Sequence, residues 1–271
     1  MTYNIGSHIN IINSLLYSLK LYKLHVVQFF LSKKLKNEDT QKLYKYVKKK
    51  NIICVIHAPY IINLARNFDP YSPHISVLIN EINYANHMNC IYGVVVHLGK
   101  QLDLTLSEAY NNMYISIMYI LKQTQNTMII LETPAGQGTE LCTKIEDFAY
   151  FFNKLKKFDR VKICIDTCHI FASGYDIIDY INKFKKLIGM EYLALIHLND
   201  SKMPQNSHKD RHESIGKGYI GVNKIVEFLK IIENEVSSAG LPIIIETSTG
   251  IFDVSKIYSI ISKQKYLNKN I

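Results

Sequence analysis

The sequence has no apolar run of about 18 residues, so no membrane-spanning helix is expected. Its first residues, "MTYNIGSHIN", lack a charged segment leading into an apolar one, so no secretory signal is expected either. No cysteine pair has the C-x-x-C spacing, which excludes thiolate zinc ribbons. The five cysteines, at 54, 90, 142, 164 and 168, are odd in number and scattered. Cys54 and Cys164 sit inside apolar runs, a pattern of reduced core thiols in a cytosol-like compartment rather than of a disulfide framework. Arginine is scarce, found only at 66, 160 and 211, so the formal charge of +9 is carried by lysine. A basic surface suits a polyanion. The abundance of Ile and Asn points equally to an AT-rich source genome, so the charge alone identifies no phosphate partner. No linker rich in Pro, Gly or Ser and no close internal repeat breaks the chain, so residues 1–271 are expected to form one domain.

What is present is a regular alternation. The chain is 48% apolar, neither disordered nor fibrous in composition, and 271 residues build a core without staples. Apolar, β-branched runs recur at 3–7, 24–30, 52–57, 91–98, 127–133, 161–166, 192–199 and 241–247. Each reads as a strand buried on both faces, as in a parallel sheet covered by helices. Between them lie segments of helical period at 11–22, 39–49, 72–88, 177–188, 222–236 and 254–262. Ser72 before Pro73 marks a helix start, and Thr105 with Glu108 and Thr143 with Glu146 each spell a capping box. Eight strands, each followed by a helix, in a chain near the usual length of about 250 residues, predict an α/β fold: a single (β/α)8 TIM barrel. The first strand, "YNIGS", is the weakest of the eight.

Barrels of this kind place their chemistry at the carboxyl ends of the strands. Here the third strand ends in His57, the fourth in His97, the fifth in Glu132, the sixth in Asp166 with His169 just beyond. The seventh ends in His197 and the eighth in Glu246, and the loop after the seventh adds Asp210 and His212. Each has a bland explanation taken alone, Asp166 as a helix cap for instance. Six consecutive strands delivering only His, Asp or Glu to one rim argue for a shared cause, because buried ionisable groups are expensive unless paired or metal-bound. Five imidazoles and four carboxylates suit zinc or manganese. At about three or four ligands per ion, with one carboxylate bridging, they serve three ions. The resulting pocket is cationic and wants an anion, and a phosphodiester is the natural guest.

These residues stand in "HAPYIINLA" (57–65), "VVVHLG" (94–99), "LETPAGQG" (131–138), "CIDTCHIFASGYD" (164–176), "HLNDSK" (197–202), "DRHESIGKGYIG" (210–221) and "IIIET" (243–247). Seven motifs in this order resemble the endonuclease IV family of apurinic/apyrimidinic (AP) endonucleases, three-zinc TIM-barrel enzymes of the deoxyribonuclease IV type. The resemblance implies that His57 and His97 hold one zinc ion and that Glu132 bridges it to a second, completed by Asp166, His197 and Glu246. It implies a third held by His169, Asp210 and His212, with Mn2+ an alternative to Zn2+ at one site. Glu132 and Glu246 would also orient the nucleophile. The implied reaction is hydrolysis of the phosphodiester 5′ to an abasic site in double-stranded DNA, leaving a 3′-hydroxyl and a 5′-deoxyribose phosphate. Trimming of blocked 3′ ends, and thus base excision repair, is implied too. Tyr60 and Ile61 occupy the positions that enter the DNA, and Lys33, Lys34 and Lys36 are placed to meet phosphates. The loop after the second strand, "FLSKKLK", offers lysine where the family often has arginine, a point charge in place of a planar fork. The expected state is an intracellular monomer, in cytoplasm, nucleoid, nucleus or virion, not secreted and not on a membrane.

Two other readings remain open at this level. A single-metal sugar isomerase or epimerase on the related barrel would use Glu132, Asp166, His197 and Glu246, leaving the other five residues without a common purpose. A non-catalytic DNA-binding module with structural metals would bind without cleaving.

Overall fold

A computed structural model of the chain describes residues 3–9, 19–20, 22, 24–31, 37–236 and 240–267. The strands are β1 (Asn4–His8), β2 (Val26–Phe30), β3 (Ile53–His57), β4 (Ile91–His97), β5 (Met128–Glu132), β6 (Val161–Asp166) and β7 (Leu193–His197). A short ribbon, β8 (Asp200–Ser201) with β9 (His212–Glu213), precedes β10 (Pro242–Ile245). The helices are α1 (Asn37–Lys50), α2 (Pro73–Met88), α3 (Leu106–Gln123), α4 (Ile145–Asn153), α5 (Thr167–Ala172), α6 (Ile177–Leu187), α7 (Val222–Glu235) and α8 (Gly250–Leu267). All eight runs expected as strands are strands, and the eight close into a parallel barrel. The helix expected over 11–22 lies almost wholly outside the described residues. So do Lys33, Lys34 and Lys36.

The weak first strand closes the barrel. Residues Asn4 to Ser7 pair in parallel with Pro242 to Ile245 on one side, while Ser7 and His8 pair with Val27 and Gln28 on the other. Gly6 explains the softness: a Cβ there would stand 1.8 Å from the Val26 carbonyl oxygen, so the close approach of β2 admits no side chain.

The apolar residues divide by strand period. Val26, Val55, Val95, Ile130, Cys164, Leu195 and Ile244 form a compact cluster with Ala194, one layer of the barrel interior. The alternate residues, such as Val27, Ile56, Val94, Ile129, Ile163 and Ile243, pack outward against the helices in the main core. Each fully buried side chain of this size contributes roughly 1.5–3 kcal/mol.

Helix starts follow the sequence in part. Thr105 and Glu108 form a complete capping box at α3. Ser72 is the N-cap residue of α2, but its hydroxyl donates to the Asp69 carbonyl and makes no cap bond. The box expected from Thr143 and Glu146 does not form: α4 starts one residue later, with Lys144 at its N-cap. A turn with Cys142 in the left-handed region leads the Thr143 hydroxyl to the Glu140 carbonyl, and Glu146 reaches Lys183 instead.

Candidate metal centre

The period of two that builds the inner layer also builds the site. Two residues beyond each inner-layer side chain, on the same face of its strand, stand Gln28, His57, His97, Glu132, Asp166, His197 and Glu246. His8, paired in register with Gln28, completes an inward ring of one residue per barrel strand. Neighbours across the ladder are also partners in register, His97 with Glu132 and Asp166 with His197. His169 joins from the first turn of α5. Asp210 and His212 are carried in by the loop that the β8–β9 ribbon pins. All nine residues expected at the rim are therefore together.

Glu132 is central and buried. Its Oε2 lies 3.2 Å from Nε2 of both His57 and His97, while its Oε1 lies 2.7 Å from Nδ1 of His197. One carboxylate thus serves two imidazole sets, one per oxygen. His197 Nδ1 is also 3.1 Å from Glu246 Oε2 and 3.8 Å from Asp166 Oδ2. In the third set, Asp210 Oδ1 lies 3.3 Å from His169 Nε2 and 3.1 Å from His212 Nε2. Asp166 Oδ2 borders this set as well, 3.5 Å from His212.

Asp166 is both a cap and a member of the site. Its Oδ1 accepts the His169 backbone N–H at 3.0 Å, starting α5, and its Oδ2 faces the pocket. The two explanations that compete in the sequence describe opposite oxygens of one carboxylate.

Several supporting groups carry no sequence signal of their own. The His57 Nδ1–H donates to the Ala58 carbonyl at 2.7 Å and the His169 Nδ1–H to the Thr133 carbonyl at 2.8 Å. Each ring is thereby turned so that Nε2 faces the carboxylates. Asn199, fully buried, donates to Asp166 Oδ2 at 2.8 Å and to Glu246 Oε2 at 3.3 Å, while its Oδ1 accepts the Glu246 backbone N–H. Asp200, a rival ligand by its nearness to His197, is excluded. Its two oxygens accept five backbone N–H groups, from Ser201, Gly216, Gly218, Ile220 and Gly221.

The electrostatics suit cations. Four carboxylates share a pocket in which burial alone would keep them protonated. Burial does hold Asp166 above the usual range. At Glu132 and Glu246 the surrounding imidazoles overcome burial and push the carboxyls down. His212 is pushed up to about 9 against its own burial, chiefly by Asp166, and His169 is likewise raised beside Asp166 and Asp210. With protein groups alone, protonated imidazoles must balance the acids. Divalent ions meet the same demand with neutral imidazoles, and the buried His169 Nε2, which has no hydrogen-bond partner among the described residues, is a donor atom of the right kind. Among the described residues, the groups whose ligand atoms lie within 4.8 Å of one another include His57–His97–Glu132, His57–His197–Glu246 and Asp166–His169–His212. Cys164 and Cys168 stand close enough to join, but burial pushes both thiols up to about 12 and they remain neutral packing.

Tyr60 and Ile61 follow His57 at the mouth and are 65% and 78% exposed. The Tyr60 ring rests against the rings of Phe30, His57 and His97, at 5.4–5.5 Å. Of the five histidines that are not among those nine residues, His25, His87 and His208 are exposed and His74 is half-buried, while His8 lines the pocket. A larger apolar cavity of about 810 Å3, lined by Phe68, Tyr114, Met118 and Tyr119, lies elsewhere and contains none of these imidazoles.

Comparison with known proteins places the chain first by class. The model of the xylose isomerase-like TIM barrels matches residues 22–255. Within that class, a probable endonuclease 4 of Mycoplasmopsis synoviae (strain 53) is 38% identical over 220 residues, 79% of this chain and 75% of the relative. One of Metamycoplasma arthritidis (strain 158L3-1) is 43% identical over 198 residues, 71% and 69% of the two chains. The chain belongs to the endonuclease IV family and is an enzyme, a hydrolase of that type. Endonuclease IV from Thermus thermophilus has the same fold, with a TM-score of 0.79 at 19% identity over 98% of this chain and 99% of the other. A D-tagatose 3-epimerase-like protein shares it almost as well, at a TM-score of 0.76, 19% identity and the same coverage, so fold alone does not separate the two chemistries. No helix among the described residues is long and apolar enough to cross a membrane.

Proposed function

We propose that this protein is a zinc-dependent DNA repair endonuclease that hydrolyses the phosphodiester 5′ to an abasic site in double-stranded DNA. The products are a 3′-hydroxyl and a 5′-deoxyribose phosphate, and the same chemistry trims blocked 3′ ends. Residues 1–271 act as one barrel domain, as a monomer inside the cell. The observation that carries this reading is the divided Glu132 carboxylate, with His57 and His97 on one oxygen and His197 on the other. A single-metal isomerase has no use for that division, nor for the third set around Asp210.

His57, His97 and Glu132 would hold one zinc ion, Glu132, Asp166, His197 and Glu246 a second, and His169, Asp210 and His212 a third, with Mn2+ an alternative at one site. When bound, such ions supply an ionised water at neutral pH and positive charge for the attacking and leaving oxygens of an in-line displacement. The side chains supply the rest. Glu132 and Glu246 orient the nucleophile on the side of the pocket that β5 and β10 define. Asn199 fixes Asp166 and Glu246 relative to each other through one amide. Burial of Glu132, Asp166 and His197 excludes bulk water from the reacting phosphate. Exposed Tyr60 and Ile61 fill the gap left when the abasic nucleotide leaves the stack, and a missing base makes that exit cheaper. Lys33 and Lys34 meet backbone phosphates as point charges.

The test is a duplex with one tetrahydrofuran abasic analogue, which cannot undergo β-elimination. We expect a nick that leaves a ligatable 3′-hydroxyl, lost after prolonged chelation and restored by zinc, with about three zinc ions per chain by elemental analysis. One ion per chain with activity on a free sugar would establish the isomerase, and binding without a nick the non-catalytic module.

A further inference from the structure

Six members of the inward ring are the proposed ligands on β3 to β7 and just past β10. The remaining two, His8 and Gln28, come from β1 and β2. We infer that Gln28 is a positioning residue which commits His197 to coordination through Nδ1 and holds Glu246 beside it, with His8 as its backing. This inference rests on the metal reading above and deepens it.

Gln28 is fully buried in a strand whose other residues are apolar, so its amide needs partners on all sides. It has them. Its Oε1 accepts the His197 Nε2–H at 2.8 Å, while its Nε2 donates to Glu246 Oε1 at 2.6 Å and to His8 Nδ1 at 3.0 Å. Only one amide orientation satisfies these contacts, because the carboxylate accepts only and must face the NH2 group. With that orientation fixed, the carbonyl oxygen requires the His197 proton on Nε2. Nδ1 is then the nitrogen that faces Glu132 Oε1 and Glu246 Oε2, 2.7 and 3.1 Å away, and its lone pair would be free for an ion held with those oxygens. His57 and His169 use the opposite choice, since their Nδ1–H groups are tied to main-chain carbonyls. His197 is thus the ring whose orientation depends on a side chain from another strand, and the same amide fixes one oxygen of Glu246. His8 accepts the second amide hydrogen and keeps Gln28 from rotating.

The test compares wild type with Gln28→Met, close in shape but without the hydrogen bonds, and Gln28→Glu, which keeps an acceptor for His197 but repels Glu246. Zinc content is measured with the rate of release to a chromophoric chelator, and the cobalt-substituted proteins are compared by visible absorption. We expect Gln28→Met to weaken one zinc by about 10- to 100-fold, the usual effect of losing a ligand's supporting partner, and to change the cobalt spectrum. Gln28→Glu should keep the His197 part of that spectrum. Equal zinc content, release rate and spectrum in all three proteins would overturn the inference while leaving the metal reading intact. A wild type that holds no zinc would overturn both. Should the variants misfold, nitrogen-15 spectra of histidine-labelled wild type decide the matter: the proton of His197 on Nε2 supports the assignment, and on Nδ1 it refutes it.

Discussion

Replacing Asp200 by asparagine should unfasten the third ligand set without touching any ligand. Asp200 is fully buried at the start of the β8–β9 ribbon, and its oxygens collect the N–H groups of residues 201, 216, 218, 220 and 221 at 2.8–3.3 Å. Asparagine retains one accepting oxygen and turns an NH2 group toward the other donors. If the amide keeps the three donors on Oδ1, the N–H groups of Gly216 and Gly218 lose their acceptor. At about 1.5–3 kcal/mol per charge-assisted bond the loss is about 3–6 kcal/mol, a large part of a domain's 5–15 kcal/mol. At roughly 2–4 °C per kcal/mol for a chain of this size, the midpoint should fall by about 6–24 °C. The loop so anchored carries Asp210 and His212, so zinc content should fall by about one ion in the folded protein as well. Scanning calorimetry and elemental analysis report the two effects separately. A variant within about 1 kcal/mol of wild type, with its zinc complement unchanged, would refute the anchoring argument.

Other outcomes follow from the same geometry. Glu132→Gln should keep the circular dichroism of the wild type yet cleave the tetrahydrofuran duplex at least about 10²-fold more slowly, since even a ligand's supporting partner is worth 10–100-fold; near-normal cleavage rates would remove the bridging role. Tyr60→Ala with Ile61→Ala should weaken binding to abasic duplex by about 5- to 150-fold, from the roughly 1–3 kcal/mol of a lost stacking platform, and leave binding to intact duplex nearly unchanged in a fluorescence titration. Glu81, on α2, is 4% exposed, and burial pushes its carboxyl up to about 8. The folded state therefore holds a proton that the unfolded chain releases near pH 4.5, so stability falls as pH rises from about 4.5 to about 8, by about 5 kcal/mol. Glu81→Gln should abolish that slope and raise the midpoint at pH 8; an unchanged slope in urea denaturation curves would place the proton elsewhere.

The barrel was legible because each strand wrote its own end. Apolar residues at period two fill the inner layer, and the first residue to break that pattern at the carboxyl end is a ligand candidate in strands three to seven. Gln28 obeys the same rule, two residues past Val26, but a lone amide inside "VVQFF" carries no ligand chemistry and does not stand out. Asn199 and the main-chain carbonyl of Thr133 escaped because their work depends on neighbours distant in sequence, and the Ala58 carbonyl, beside His57 in the chain, because a main-chain acceptor leaves no mark in the residue type. The failed box at Thr143 shows the opposite limit. A local motif yielded to the turn through Cys142, whose backbone is set by the loop it belongs to. Asp166 shows that two local readings of one residue need not exclude each other when its oxygens point in different directions.

The seam between β1 and β10 joins chain segments more than two hundred residues apart, from Asn4–Pro242 to Ser7–Ile245. Glu246 follows directly on that seam, and Gln28 reaches it from the neighbouring strand. During synthesis, everything up to β7 can emerge from the ribosome while the ring still lacks one carboxylate and its last wall. A chain cut short before residue 246 would lack both Glu246 and the strand that β1 pairs with, so such fragments should show no hydrolysis.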